Sequence, residues 1–380
     1  MSSIGPISDF AIGIYDGPHA TPKPSAEGPI FLGIKNVTED GRLDLENVRH
    51  ISETDFPKWT RRVKPQKDDI VFSYEATLHR YARIPDGFEG CLGRRMALVR
   101  PNRKKVDPRF LHYYFLSPIW RAKIDSITIT GVTVDRIPLS SFPDTKVSIP
   151  ELSEQVKIAN ILSAYDDLIE NNRRRIALLK EAARLLYREW FVHFRFPGHE
   201  HVKMIDGLPE GWVRRTLGSV LNFQRGFDLP VNWRVPGGVP VYGSTGIVGE
   251  HNVAKVDFPT LTTGRSGSLG RVCYVDDPCW PLNTSLWVTD FKAVSVYFAY
   301  FMLSAMDLAK FNAGASVPTL DRKVAHAVKV LVPTRDIAAQ FDEQIKVVFT
   351  QKKLLNQQIE KLAQARDLLL PRLMNGDIAV

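Results

Sequence analysis

"SEQVKIANILSAYDDLIENNRRRIALLKEAARLLYREWF", from Ser153 to Phe191, is one uninterrupted helical pattern in the middle of the chain, with globular-looking sequence on both sides. Ile158, Leu162, Tyr165, Ile169, Asn172, Ile176, Leu179, Ala183, Leu186 and Trp190 recur at alternating spacings of four and three. That is the period of a coiled-coil seam. Asn172 is its one clearly polar member; a lone Asn in a seam costs stability but fixes register. A second helical pattern closes the chain. There Ile345, Val348, Leu355, Ile359, Leu362, Leu369 and Leu373 hold the corresponding places, and Lys352 and Arg366 interrupt them. Pro371 and Gly376 are expected to end this helix. Neither helix has enough apolar surface to stand alone in water. The simplest arrangement pairs them with each other, antiparallel, within one molecule. Two helices of about 33 residues would make a rod of ~50 Å at ~1.5 Å per residue.

Outward from the helices, the chain divides into four parts: 1–150 and 196–333 read as strand-rich globular sequence, 151–195 and 334–380 as helix. "GPIFLGIKNV" and "DDIVFSYEA" in the first part, and "GGVPVYGSTGIVGEHN" and "FPTLTTGRSGSLGRVCYVDD" in the third, are short β-branched runs punctuated by Gly and Pro. The third part repeats the first in order. Gly28 and Gly33 match Gly238 and Gly243, and "DDIVFSYE" corresponds in place to "PTLTTGR". "YYFLS", ending at Ser117, matches "YFMLS", ending at Ser304. Gly131, Val134, Val147 and Pro150 match Gly314, Val317, Val330 and Pro333 at a constant offset. A collinear series of this kind indicates a tandem repeat of one unit: globular domain, strand, proline, long helix. Antiparallel pairing of the two helices then relates the halves by a pseudo-twofold axis. B-DNA has local twofold axes and a turn of about 34 Å, so this geometry suits a reader of two separated patches of one duplex.

The totals agree with an ordinary globular protein: 380 residues, 44% hydrophobic, 24% charged. No apolar run approaches the ~20 residues of a membrane span, and "MSSIGPISDF" has no secretory pattern; the expected compartment is the cytoplasm. Cys91, Cys273 and Cys279 are odd in number and lack CxxC spacing, which indicates neither a zinc site nor a disulfide framework. The net charge of +8 leans towards an anionic partner.

A catalytic engine is missing from the motifs. "GRSGSLG" (Gly264–Gly270) lacks the Gly-Lys-Ser/Thr ending of a nucleotide P-loop. No GxGxxG opens a helix after a buried strand. No Asn/Asp-Pro-Pro-Tyr/Phe of an adenine methyltransferase occurs, and no GxSxG or HExxH. "PDGFEG" (Pro85–Gly90) is not followed by the Glu-x-Lys of a nuclease. His199 and His201 lie in a linker-like segment, "FPGHEH", and read as a solvated loop rather than a metal pair.

Positive and polar residues instead cluster in the two globular repeats. The first carries Lys35, then Lys58, Trp59, Arg61, Arg62, Lys64 and Lys67 in "PKWTRRVKPQK", "GRR" ending at Arg95, and "RPNRKK" from Arg100 to Lys105. The second carries Arg225, Arg234, Arg265, Arg271, Arg322 and Lys323. Guanidinium groups pair with guanine edges or phosphates; hydroxyls and backbone N–H groups hold phosphates. The candidate DNA contacts of the first repeat are Lys35, Lys58, Arg61, Arg62, Lys64, Tyr74, Glu75, His79 and Arg80. Those of the second are Arg225, Ser244, Thr245, Arg265, Ser266, Ser268, Arg271, Arg322 and Lys323. Glu75 can accept from a cytosine amine, whereas Arg265 favours guanine or phosphate. The bland alternative is that both stretches are only hairpin turns. "NNRRR" (Asn171–Arg175) belongs to the helix and reads as a solvated face or a protein contact.

The chain resembles the specificity subunits of type I restriction–modification systems. "VSIPELSEQVKIANILSAYDDLIENNRRRIALLKEAARLLYREWFVHF" is similar to their central helical region. "DGPHATPKPSAEGPIFLGIKNV", and in the second repeat "VPVYGSTGIVGEHN" with "TLTTGRSGSLGRVCYV", are similar to their target-recognition domains. "KLAQARDLLLPRLMNGDIAV" is similar to their terminal helical region. The resemblance implies an α+β protein with two tandem strand-rich α/β target-recognition domains, separated by two long helices in a pseudo-twofold antiparallel coiled coil. Each domain would read half of a split site in double-stranded DNA. Two methyltransferase subunits would dock on the helices, and endonuclease–translocase subunits would join them. S-adenosylmethionine, ATP and Mg²⁺ would belong to those partners, with no cofactor or metal in this chain. Two other readings make different predictions. A stand-alone nuclease or methyltransferase would be active alone; a coiled-coil adaptor would not shift DNA.

Overall fold

The computed structural model describes residues 3–131, 134–314 and 316–380. The chain forms two compact units, one of Met1–Arg173 with Gln357–Val380 and one of Arg174–Asn356. Each unit therefore takes part of both long helices. These run over Leu152–Phe191 and Arg335–Met374, 40 residues each, longer than the seam pattern alone suggests. Pro371 does not end the second helix. It lies inside the last turn, and closure comes after it, where Asn375 N–H reaches the Pro371 carbonyl at 2.9 Å and Gly376 takes a φ of +77°. Pro371 removes one helical N–H donor and crowds the Asp367 carbonyl, a cost offset by the packing of Leu370 and Leu373 into the core.

In the first unit a four-stranded antiparallel sheet has the order Ala11–Asp16, Met96–Pro101, Ile70–Ser73, Tyr81–Arg83. The strand Ile70–Ser73 comes from "DDIVFSYE" and is buried at every residue, as an inner strand of β-branched and aromatic residues should be. A three-stranded sheet has the order Arg49–His50, Ser25–Leu32, Gly90–Leu92, and its last pair is parallel. Ser3–Pro6 pairs with Lys146–Ile149. Two helices follow from their start signals: Asp107 caps Pro108–Leu116, its carboxylate accepting from Arg109 N–H and Phe110 N–H, and Ser117 caps Pro118–Ile127.

The second unit has the same plan. Its four-stranded sheet runs Leu221–Arg225, Ser285–Phe291, Thr260–Gly264, Val272–Val275. Its three-stranded sheet runs Gly246–His251, Val239–Gly243, Trp280–Pro281, again with a parallel last pair. Val213–Thr216 pairs with Lys329–Val332, and Val296–Ala305 is the main helix. The matched segments "DDIVFSYE" and "PTLTTGR" thus give the same inner strand, and "YYFLS" and "YFMLS" the same helix.

In each unit the long helices complete the domain core. Ile158, Leu162, Leu370 and Leu373 join Phe72, Phe110, Trp120 and Phe142 in the first. Tyr187, Trp190, Phe191, Phe341 and Ile345 join Phe223, Val288 and Phe298 in the second. The helix pairing is antiparallel: in the first unit Asn172 meets Gln358 and Asp166 meets Arg366, and in the second Trp190 meets Phe341. Leu162, Ile169, Asn172 and Ile176 are buried; Tyr165, Leu179 and Leu186 are half-buried. On the partner helix Ile345 and Leu355 are buried, and Val348, Ile359, Leu362 and Leu369 are half-buried. Lys352 and Arg366 occupy seam positions without breaking the period: Lys352 is half-buried and Arg366 is 8% exposed.

Candidate nucleic-acid interface

In the first unit the chain leaves the buried strand Ile70–Ser73 directly into Tyr74 and Glu75. Tyr74 N–H donates to the Arg95 carbonyl at 3.1 Å, and Glu75 Oε2 lies 3.3 Å from Arg95 Nε. Asp16 at the end of the edge strand pairs with Arg62 at 2.6 Å, and the His19 ring stands edge-on to Tyr74 at 6.3 Å. Burial, then Glu75 and Asp16, push the Tyr74 hydroxyl up to about 12. Tyr74 is therefore a neutral wall at the foot of a charged rim made by Asp16, Arg62, Glu75 and Arg95. Arg94, exposed beside it, makes no ion pair among the described residues. Such a mixed rim has the donors and acceptors to meet base edges, and its unpaired arginine keeps its charge for an anion.

Other candidates of this unit lie outside that rim or are otherwise engaged. His79 Nε2 bonds Asp125 at 2.7 Å, and Arg80 bonds Glu39 at 2.6 Å. Lys64 sits over the Phe56 ring at 5.0 Å and 3.7 Å from Glu89. Lys35, Lys58 and Arg61 are exposed and unpaired among the described residues, on short turns or helices away from a fixed partner. Of the run from Arg100 to Lys105, Arg100 forks onto Asp69, which is 1% exposed, through bonds of 2.9 and 2.8 Å. That is an internal strut, not a reading group.

The second unit gathers most of its candidates. The loop Gly264–Gly270 is pinned on two sides: Arg265 N–H and Ser266 N–H reach the Thr284 carbonyl at 2.9 and 3.1 Å, and Gly267 N–H reaches the Pro318 carbonyl at 2.9 Å. A Cβ on Gly264 would stand 1.8 Å from the Ser268 carbonyl oxygen and 3.0 Å from that of Ser244, so only glycine fits this crossing. The glycine thus serves an approach of the chain to itself. Arg265 Nη1 donates to the Asn283 carbonyl at 3.2 Å, and the Asn283 amide in turn bonds Asp228, which lies 3.6 Å from Arg225. Arg271 Nη1 donates to the Thr245 carbonyl at 2.7 Å. Arg225, Ser244, Thr245, Arg265, Ser266, Ser268 and Arg271 therefore belong to one linked set of loops at the end of the sheet. Arg265 and Arg271 are held by neutral carbonyls, so each keeps its full charge for an anion. Arg322 and Lys323 begin a short helix capped by Asp321 and make no ion pair among the described residues.

Residues absent from the sequence-level candidates are Asp16, His19, Asn283 and Asp228. Asp16 and His19 stand in "DGPHA", a stretch that did draw notice, but nothing in its spacing shows that it folds beside Tyr74. Among the described residues no cluster of three or more His, Cys, Asp or Glu side chains gathers for a metal, and no helix is long and apolar enough to cross a membrane.

Residues 36–181 match the family described as the type I restriction modification DNA specificity domain. Over 96% of its length the chain is 25% identical to the type I restriction enzyme MjaIX specificity subunit of Methanocaldococcus jannaschii, covering 87% of that protein. The chain thus carries a type I restriction modification DNA specificity domain over 36–181 and is similar to type I specificity subunits along nearly its whole length. It is also 20% identical to the HindI specificity subunit of Haemophilus influenzae, over 92% of this chain and 94% of that one. The crystal structure of the S subunit from M. genitalium shares the fold at a TM-score of 0.55 and 18% identity, covering 98% of this chain and 96% of that one. In a specificity subunit the two loop ends described above are the natural candidates for recognition, since loops carried on a rigid scaffold vary most freely.

Proposed function

We propose that this specificity subunit reads a two-part site in double-stranded DNA, one part with each unit, and performs no chemistry itself. One observation carries the reading. The two units repeat one sheet plan, yet present different groups at the same end of the inner strand: Tyr74, Glu75 and Arg95 in one, Arg265 in a pinned glycine loop in the other. A duplicated scaffold with diverged tips suits two unlike half-sites. Methyltransferase and endonuclease–translocase subunits would supply the catalysis, with S-adenosylmethionine, ATP and Mg²⁺ bound by them. The outer faces of the helices support docking of such partners. In the second unit Leu178 and Leu185 on the central helix and Val192 just past its end recur every seven residues and are 70, 44 and 52% exposed, and Val347 and Leu354 do the same on the other helix at 57 and 53%. An apolar stripe of that period fits a partner helix.

The test is methylation-pattern sequencing of host DNA with and without the gene. A split motif whose modification disappears with the gene is expected; an unchanged pattern would overturn the reading. In parallel, the pure chain with S-adenosylmethionine, ATP and Mg²⁺ should neither methylate nor cleave DNA.

A further inference from the structure

The two seam cations are solved differently. Arg366 has a carboxylate opposite it, with Nη1 2.6 Å from Asp166 Oδ1. Lys352 stands two heptads before Arg366, and Lys180 two heptads after Asp166, so the same antiparallel register places Lys180 where a carboxylate is needed. Two ammonium groups face a shared space and repel each other. Neither makes an ion pair among the described residues. Lys352 Nζ lies 5.2 Å from the centre of the Phe349 ring, a contact that offsets only part of the cost of burying it. Burial, then Lys180, lower the Lys352 pKa.

The nearby carboxylates are bonded to other cations, and only Asp276 acts on Lys352, at a distance and more weakly than burial and Lys180. Glu181 bonds Arg184 through both oxygens at 2.6 and 2.8 Å, and Asp276 and Asp277 hold Lys353 at 3.3 and 2.7 Å. Beside the lysines is a cavity of about 350 Å³, walled by Tyr300, Phe301 and Phe349, with Ser304 also in its lining. Ala177 and Ala183 keep the central helix thin there. An aromatic-walled space with unpaired cations at its edge, inside a helix pair that would gain from hydrophobic packing, is a poor stability device. It has the composition of a ligand pocket: mostly apolar walls and a few convergent polar groups.

We infer that this cavity binds an anion carried on a flat apolar body, an aryl phosphate or carboxylate, whose charge takes the place of the carboxylate missing between Lys180 and Lys352. The aromatic walls take the flat body, and the ammonium groups take the anionic oxygens. Occupancy stabilises the helix pairing of the second unit, because the repulsion across the seam is then relieved.

The experiment uses the full chain and phenyl phosphate as probe, with phenol and inorganic phosphate as controls at matched ionic strength. Thermal unfolding is followed against probe concentration. Phenyl phosphate should raise the midpoint saturably, and more than either control. Lys352→Met removes one charge-assisted contact without shrinking the seam, and should weaken apparent affinity by about tenfold or more. Lys180→Glu supplies the carboxylate internally, as Asp166 does for Arg366; it should raise the midpoint without probe and abolish the response. The inference is overturned if phenyl phosphate shifts the wild-type midpoint no more than phenol or inorganic phosphate does. It is equally overturned if Lys352→Met responds like wild type, or if Lys180→Glu keeps its response.

Discussion

Replacing Asp166 by Ala removes the carboxylate that makes a seam arginine tolerable. The Arg366 side chain is 10% exposed and the Asp166 side chain 32% in that pair. The other Asp166 oxygen accepts from the Tyr113 hydroxyl at 2.5 Å, which ties the helix pair to the helix Pro108–Leu116. Breaking a fully buried ion pair costs ~3–5 kcal/mol because an uncompensated charge remains. Here the cost is lower, since Arg366 keeps Asp367, itself 61% exposed and well hydrated; about 2 kcal/mol is a fair share. The orphaned Tyr113 hydroxyl, on a buried side chain, adds about 1 kcal/mol. The sum of ~3 kcal/mol lowers the unfolding midpoint of a unit this size by roughly 6–12 °C. Urea and thermal unfolding by far-UV circular dichroism would measure it. Asp166→Leu with Arg366→Met, an apolar pair in the same seam, should recover more than half of the loss. A single variant within ~0.5 kcal/mol of wild type, the ordinary scatter of surface changes, would refute the reasoning, as would a double variant no better than the single.

Arg265→Ala should cost ~1–3 kcal/mol of DNA binding and relax preference in only one half-site if Arg265 reads a base; binding assays on DNA altered separately in each half would show a uniform loss instead if it holds a phosphate. His112 is pushed down to about 4 by burial and then by Arg83. Below the unfolded value of ~6.5 only the unfolded chain takes up the proton, so stability is full above that pH and declines as pH falls towards 4, by on the order of 3 kcal/mol. His112→Phe should flatten this part of the pH profile of urea midpoints, and an unchanged slope would count against it. Inserting four residues between Ile169 and Leu179 lengthens the central helix by ~6 Å and shifts its seam; lost assembly with partner subunits or a changed gap in the methylated motif is expected, and an unchanged gap with full assembly would show that the helices do not set the spacing.

The seam was legible because a coiled coil writes its contacts into a fixed period. Every residue assigned to it from spacing, from Leu162 to Leu369, is buried or half-buried. The duplication was legible because Gly28, Gly243 and the inner-strand segments keep their order. Helix length was less so: Leu152 and Met374 lie beyond the seam pattern, and helix ends are decided by local caps and by the domain they enter. Side-chain orientation was not legible at all. Arg265 is aimed by the Asn283 carbonyl and Arg271 by that of Thr245, both far along the chain. Glu75 is close in sequence to nothing that explains its Arg95 partner. Candidate residues chosen by charge therefore include struts such as Arg80, tied to Glu39, beside groups with free charge such as Arg322.

The polar seam residues also decide which register the helices adopt. Leucine and isoleucine at heptad spacing would tolerate a slide of seven residues with little change in buried area. In the observed register Asn172 Nδ2 donates to Gln358 Oε1 at 3.3 Å, and Arg366 meets Asp166. A slide of one heptad in one direction puts Arg366 opposite Arg173, and in the other opposite Ala159. The first sets like charges together in a half-dry seam, and the second leaves the guanidinium with no carboxylate on the facing helix. Either costs several kcal/mol by the same desolvation argument that governs the Asp166 variant. A seam that held only apolar residues would be more stable and less determinate. Asn172 and Arg366, the polar seam residues with partners on the facing helix, are thus the ones that hold the two helices in a single alignment.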